Sequence, residues 1–263
     1  MRVLTCNIRT SGANDGENSW PHRKALCVDV IRSQSPDIIF FQEMTQEQFA
    51  YVAASLSGYG TYAMADRPTG PHPKNCIFYR AKAFTLISAG GYWLSETPHV
   101  AGSKSWESGH IRLANWVRLA ENSTGAEFRA VNTHLDNLSQ LARERQAGLI
   151  VEDSLAYPEE YPQILAGDMN CGCESAAIGV FKAGGWRDTY AAVHGTENAG
   201  HTYHSFLGPE HETSTGKIDW IFVRGHARPL AAEVVRDSRE GRFPSDHYFV
   251  SADVAIQESG GNG

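Results

Sequence analysis

Asp168 and Asn170 stand two residues apart behind the apolar run and glycine of Gln163-Ile164-Leu165-Ala166-Gly167. An aspartate there is an oxygen ligand for a hard cation, or a base, and the asparagine adds a donor and an acceptor on one amide. Gly167 lets the backbone turn or approach something closely. The same residues also suit an Asx-type turn closing a strand. Recurrence shifts the balance, because polar groups stand at the boundaries of other apolar runs: Asn7, Glu43, His134, Asp219, and Asp246 with His247. Each alone reads as solvated or structural. Together they make a kit. Asn7, Glu43, Asp168 and Asp246 are hard oxygen ligands of the type that suits Mg²⁺ or Mn²⁺ and not a thiol-rich zinc site. In an Asp219–His247 pair the carboxylate fixes the imidazole tautomer and the imidazole takes a proton from water. His134 and Asn170 can donate to phosphoryl oxygens as charge builds in a transition state.

The elements that must hold these groups alternate. Residues 2–8 read as a strand, and Ser19-Trp20-Pro21 opens a helix running to about residue 34. Asp37–Phe41 is a fully buried strand ending at Gln42-Glu43, and Thr45 with Gln48 makes a capping box for the next helix. Residues 57–75 read as loop with at most one short strand, followed by strands at 76–80 and 84–88 and a long surface excursion over 89–110. Strands at 111–119 and 127–133 form a hairpin, and a helix covers 138–155. After the Asp168 strand come a short helix at 174–184, a loop-rich, His-containing stretch at 186–216, a strand at 218–223 and a final half-buried strand at 248–256. Two sheets face to face with helices outside would use these elements well.

The 263 residues, 41% of them hydrophobic and without an interior linker, predict one soluble domain over residues 1–257 and a disordered tail at 258–263. A net charge of −7 without a basic cluster argues against long duplex DNA as the default substrate. Five cysteines give no framework: Cys6, Cys27 and Cys76 read as core, and Cys171 and Cys173 as free loop thiols. No stretch is apolar enough to span a membrane and no signal-peptide core is visible, so a cytoplasmic location is expected. Gly216-Lys217 lacks the rest of a P-loop, and no Gly-x-Ser-x-Gly elbow occurs. His194, His201, His204 and His211 match no compact zinc spacing, though His204 or His201 is a candidate for the lining of a cleft.

Six segments, in order, resemble the endonuclease/exonuclease/phosphatase superfamily: Thr5-Cys6-Asn7-Ile8-Arg9, Phe41-Gln42-Glu43, Asn132-Thr133-His134-Leu135-Asp136, Gly167-Asp168-Met169-Asn170, Ile218-Asp219-Trp220-Ile221-Phe222 and Ser245-Asp246-His247. Gly91–Pro98 followed by Gly102-Ser103-Lys104 is similar to the bacterial metal-dependent hydrolase branch. The resemblance implies an α/β fold, a four-layered α/β sandwich with two mixed β-sheets face to face and helices outside. It implies Mg²⁺- or Mn²⁺-dependent phosphoester hydrolysis, with Glu43, Asn7 and Asp246 at the metal. Asp219–His247 would activate water, Asp168 would bind metal or orient that water, and His134 and Asn170 would meet the phosphate. Arg9 stands where some abasic-site nucleases of the superfamily carry an acid, which argues against close kinship with those repair enzymes. Arg9, Arg112 and His204 are the expected substrate contacts, with Arg118 a weaker candidate. The expected partner is a phosphoester, small molecule or nucleic acid. The alternatives are a nuclease acting on DNA or RNA, and a non-catalytic binding protein on the same fold.

Overall fold

Central strands that are apolar on both faces need cover on both sides. β1 (Arg2–Asn7) carries Val3 on one face and Leu4 and Cys6 on the other; β2 (Ile38–Gln42) carries Ile38 and Phe40 opposite Ile39 and Phe41. In the computed structural model, which describes residues 1–70 and 72–257, two six-stranded mixed sheets pack face to face. The first runs β11 (Ala227–Val235), β12 (Phe249–Ile256), β1, β2, β4 (Asn75–Arg80), β3 (Tyr59–Met64). The second runs β5 (Phe84–Trp93), β6 (Leu113–Glu121), β7 (Glu127–His134), β8 (Gln163–Asp168), β10 (Asp219–Arg224), β9 (Arg187–Asp188). The expected tail at 258–263 lies outside the described residues.

Each sheet has one parallel pair, β1 with β2 and β7 with β8. A parallel pair needs a crossover, which α1 (Trp20–Gln34) and α3 (Gln140–Leu155) supply. Their register sets Asn7 opposite Gln42 and His134 opposite Asp168. Outside the first sheet, α1 and α2 (Gln46–Ser55) bury Cys27, Ile31 and Val52 against Leu4, Ile39 and Phe41. Outside the second, α3 and α4 (Ala176–Ala183) bury Ile150, Ile178 and Phe181 against Val131, Leu165 and Phe222. The Thr45/Gln48 capping box opens α2 as expected. A third apolar layer between the sheets joins Val3, Phe40, Ile77, Ala130, Ile164, Ile221 and Val250.

The structure departs from the sequence reading at four places. β5 continues through Gly90 and Gly91 to Trp93, because the Trp116 ring lies where a β-carbon on Gly90 would stand, 2.7 Å away. β3 is the short strand allowed for within 57–75, and β11 is an edge strand where none was assigned; β11 carries Pro229 beside a bulge, which an edge tolerates. The 186–216 stretch holds β9 and α5 (Thr189–His194). β12 is buried on both faces at its start, since Phe249 packs into the helix layer. All five cysteines are free, and no described helix is long and apolar enough to cross a membrane.

Candidate active site

Side chains on a strand alternate between faces, so each strand sends every second residue into the gap between the sheets. Followed toward one end of the sandwich, these residues turn from apolar to polar: Val3, Thr5, Asn7 on β1; Ile38, Phe40, Gln42 on β2; Phe128, Ala130, Asn132, His134 on β7; Ile164, Ala166, Asp168 on β8. β10 runs the other way and gives Val223, Ile221, Asp219. The polar members stitch the sheets together. Asn132 accepts from Gln42 Nε2 at 2.8 Å and donates to the Phe41 and Cys76 carbonyls at 2.9 and 3.0 Å.

Asp168 Oδ2 is the focus of the cluster. Asn7 Nδ2 donates to it at 3.0 Å and to Glu43 Oε1 at 3.3 Å. His134 Nε2 lies 3.3 Å and His247 Nε2 4.0 Å from the same oxygen. His247 Nδ1 is 2.9 Å from Asp219 Oδ2, a pair that crosses between the sheets. Two strand exits use one device: Arg9 N–H donates to Asn7 Oδ1 at 3.0 Å, and Asn170 N–H donates to Asp168 Oδ1 at 2.8 Å. The Asx turn at Asp168 thus uses Oδ1, while Oδ2 faces the polar cluster. Arg9, Glu43 and Asn170 all adopt positive φ (53°, 62° and 51°), a strained conformation that concentrates at functional sites. Gly167 is required by close approach, since a β-carbon there would stand 1.9 Å from the Thr133 carbonyl oxygen.

Burial and charge set the protonation states. Burial pushes the Asp168 carboxyl up to about 7, with Asp219 adding to the rise. Burial likewise raises Asp246. For Glu43, burial is outweighed by the Thr10 N–H, His247 and the Asn7 amide, which hold it below the usual carboxylate range. Burial opposes charge on His247, yet Asp219, with Asp246 and Asp168, holds the ring well above its ordinary value. Burial, with Arg112 nearby, holds His134 well below, so it is neutral. A buried Asp219 Oδ1 has no partner among the described residues. Crowded carboxylates fit a hard divalent cation: the charge of Glu43 adds to the rise of Asp246, and Asp168, Asp219 and His247 each offer a ligand atom within 4.8 Å of one another.

The Endonuclease/Exonuclease/phosphatase family model matches residues 4–247. The chain belongs to that family. Family members are hydrolases acting on phosphoesters or nucleic acids. An endonuclease/exonuclease/phosphatase from Bacteroides vulgatus is 27% identical, with a TM-score of 0.89 over 97% of this chain and 98% of that one. A mannosyl-6-phosphatase from Bacteroides thetaiotaomicron is 26% identical, with a TM-score of 0.86 over 97% and 99%. Nocturnin from Drosophila melanogaster is 24% identical over 100% of this chain, which spans 48% of that protein's length.

In this family member the cleft over the cluster has a volume of about 720 Å³. Its lining brings together Glu43, His134, Asp168, Asn170, Asp246 and His247 with Arg9 and Arg112 from the expected set. Arg9 is held by Asp15 at 3.0 Å and lies 3.6 Å from Asp246. Arg112 leaves its buried Nε without a partner among the described residues. Asn7 Oδ1 accepts from Arg9 N–H, which leaves one lone pair on that oxygen, and its amide nitrogen bridges Glu43 and Asp168. His204 is a correction. It is fully buried, packed between the Tyr248 and Phe243 rings, and absent from the cleft lining; burial lowers it to about 3. Arg118 pairs instead with Glu127 on the hairpin, at 2.8 Å. Arg67, Lys74, His110 and Tyr203 also line the cleft, with membership of the three long loops as their only signal in the sequence, and so does Lys104, which the Gly102-Ser103-Lys104 segment carries.

Proposed function

We propose that the protein is a divalent-metal-dependent phosphoester hydrolase, acting on a phosphomonoester or phosphodiester in the cleft above Asp168. The observation that carries this reading is the convergence of Glu43, Asp168 and the Asp219–His247 pair beneath a rim that carries Arg9 and Arg112. Glu43 and Asp246 would hold the cation, with Asn7 fixing the Glu43 carboxylate from the side. When bound, a divalent cation supplies Lewis-acid polarisation of a phosphoryl oxygen. Every other role falls to side chains. Asp219 orients His247 through Nδ1 and leaves Nε2 facing the Asp168 oxygen, 4.0 Å away. With the charge of a bound cation opposing protonation of His247, Nε2 would take the proton of a water held between these two atoms, and the water oxygen would bond phosphorus as the bond to the leaving ester oxygen breaks. Neutral His134 donates from Nε2, and Asn170 and Arg112 meet the phosphoryl oxygens as negative charge grows.

The likeness to the mannosyl-6-phosphatase supports a small sugar phosphate as the first substrate to test. The nuclease reading draws on Arg67, Lys74 and Lys104 at the rim, which would follow a phosphate backbone. The five free thiols support a reducing, cytoplasmic setting. The test is turnover with Mg²⁺, Mn²⁺ or EDTA on sugar phosphates, p-nitrophenyl phosphate, its bis-ester, DNA and RNA. Cation-dependent turnover that disappears in His247→Ala is the expected result, and the best substrate selects between small ester and nucleic acid. No turnover anywhere in the panel would count for a binding protein on this fold.

A further inference from the structure

The Asp219–His247 pair spans two sheets, Asp219 opening β10 of the second and His247 preceding β12 of the first. Neither strand alone sets the distance between the partners. The beginning of β10 is also poorly supported on one side. β8 pairs with Asp219 through Asp168, but β9 reaches β10 only at Phe222 and Val223. The amides of Ile218 and Asp219 therefore lack a strand partner where β9 stops short, and a buried N–H without a partner is costly.

Thr202 fills that place. Its hydroxyl oxygen accepts from Ile218 N–H at 2.9 Å and from Asp219 N–H at 3.1 Å. Its own carbonyl accepts from Tyr248 N–H at 2.8 Å. The following residues continue the contact on the His247 side: Tyr203 bridges to His247, and His204 and Ser205 donate to the Asp246 carbonyl at 2.8 and 3.2 Å. Thr202 is fully buried and does not line the cleft, so it does not reach substrate. His204, buried beside it against Tyr248 and Phe243, belongs to the same strap.

We propose that Thr202 is a positioning residue, a clamp whose side chain holds Asp219 and whose backbone holds the His247 segment, so that the pair keeps its geometry across the gap between the sheets. This rests on the hydrolase reading for its catalytic consequence but not for its existence. The variants are Thr202→Val, which keeps the shape and loses the acceptor, Thr202→Ser, which keeps the acceptor, and Thr202→Ala. Amide exchange should quicken at Ile218 and Asp219 in the Val and Ala variants and stay slow in the Ser variant. On the best phosphoester, kcat should fall roughly ten- to a hundredfold in Val and Ala with KM little changed, because a small misplacement is felt in the chemical step. The Ser variant should retain kcat. Should the Val variant not fold, the Ser and Ala variants decide. Unchanged exchange at both amides, or equal kcat in Ser and Ala, overturns the clamp. A wild-type protein without turnover overturns the hydrolase reading instead, and exchange alone then decides the clamp.

Discussion

The two ends of the layer between the sheets are built from the same strands with the same period-two alternation, yet they do different work. One end is apolar: Val3, Phe40, Phe128, Ala130, Ile164 and Val223 interlock with no hydrogen bond needed between sheets. The other end is a chain of amides, carboxylates and imidazoles in which Asn132, Asn7 and the Asp219–His247 pair each cross from one sheet to the other. Apolar contact is non-directional and tolerates sliding; hydrogen bonds fix distances to a fraction of an ångström. The apolar end therefore supplies most of the adhesion, and the polar end supplies position. The C-terminal ends of both parallel pairs carry polar-end residues, Asn7 and Gln42 in one sheet and His134 and Asp168 in the other.

This division is open to test at both ends. The largest effect belongs to His247→Ala, which should lower turnover per folded molecule about 10²–10⁴-fold, beyond the stability it loses by leaving Asp219 unpaired. Phe40→Ala, at the fully buried apolar end, should lose stability alone. It should cost about 3–5 kcal/mol of stability in denaturant unfolding while the folded fraction keeps its turnover. Equal losses of activity per folded molecule in the two variants would break the comparison. Asn132→Ala strips partners from the Phe41 and Cys76 carbonyls and should cost about 1–3 kcal/mol, with reduced kcat as well, because it lies between the two ends.

Smaller effects sharpen the boundary. Asp136 is buried, but the Ser139, Leu138 and His110 N–H groups and the Ser108 hydroxyl outweigh burial and hold its carboxyl below the usual range. A depressed folded value means its stabilisation is present above the unfolded value, about 3.9, and is lost as pH falls through the folded one. In thermal unfolding, Asp136→Asn should thus be less stable than wild type at neutral pH, and the gap should close in acid. Arg118→Ala removes a half-exposed pair with Glu127, away from the cleft, and should cost less than about 1 kcal/mol without altering activity.

Much of this was legible in the sequence because a strand's exit is a chemical event. Glu43, His134, Asp168 and Asp219 each interrupt an apolar run, and an interrupted run marks both the strand and its site-facing end. The ordered segments then identified the family and its sandwich. Reading every second residue would have shown more: the run to Phe41 hides Phe40 and Gln42 on one face, and with them the inter-sheet stitch to Asn132. β11 went unassigned because Pro229 and its charged neighbours break the strand pattern, a composition an edge strand accepts. Thr202 and His204 lay in a stretch with no periodicity, where burial comes from what the loop crosses and not from its own pattern. The cleft's Lys104 and Arg67 are set by loop paths that local sequence does not encode.

The most direct test of the account is a calorimetric titration of Mn²⁺ into the wild-type protein and into Glu43→Gln. A saturable site in the wild type that is weakened in the variant, with both proteins equally folded, is the expected result. Absence of Mn²⁺ binding to the wild type, or binding indifferent to Glu43, would contradict the claim that the polar end of the sandwich is a metal-dependent hydrolytic centre.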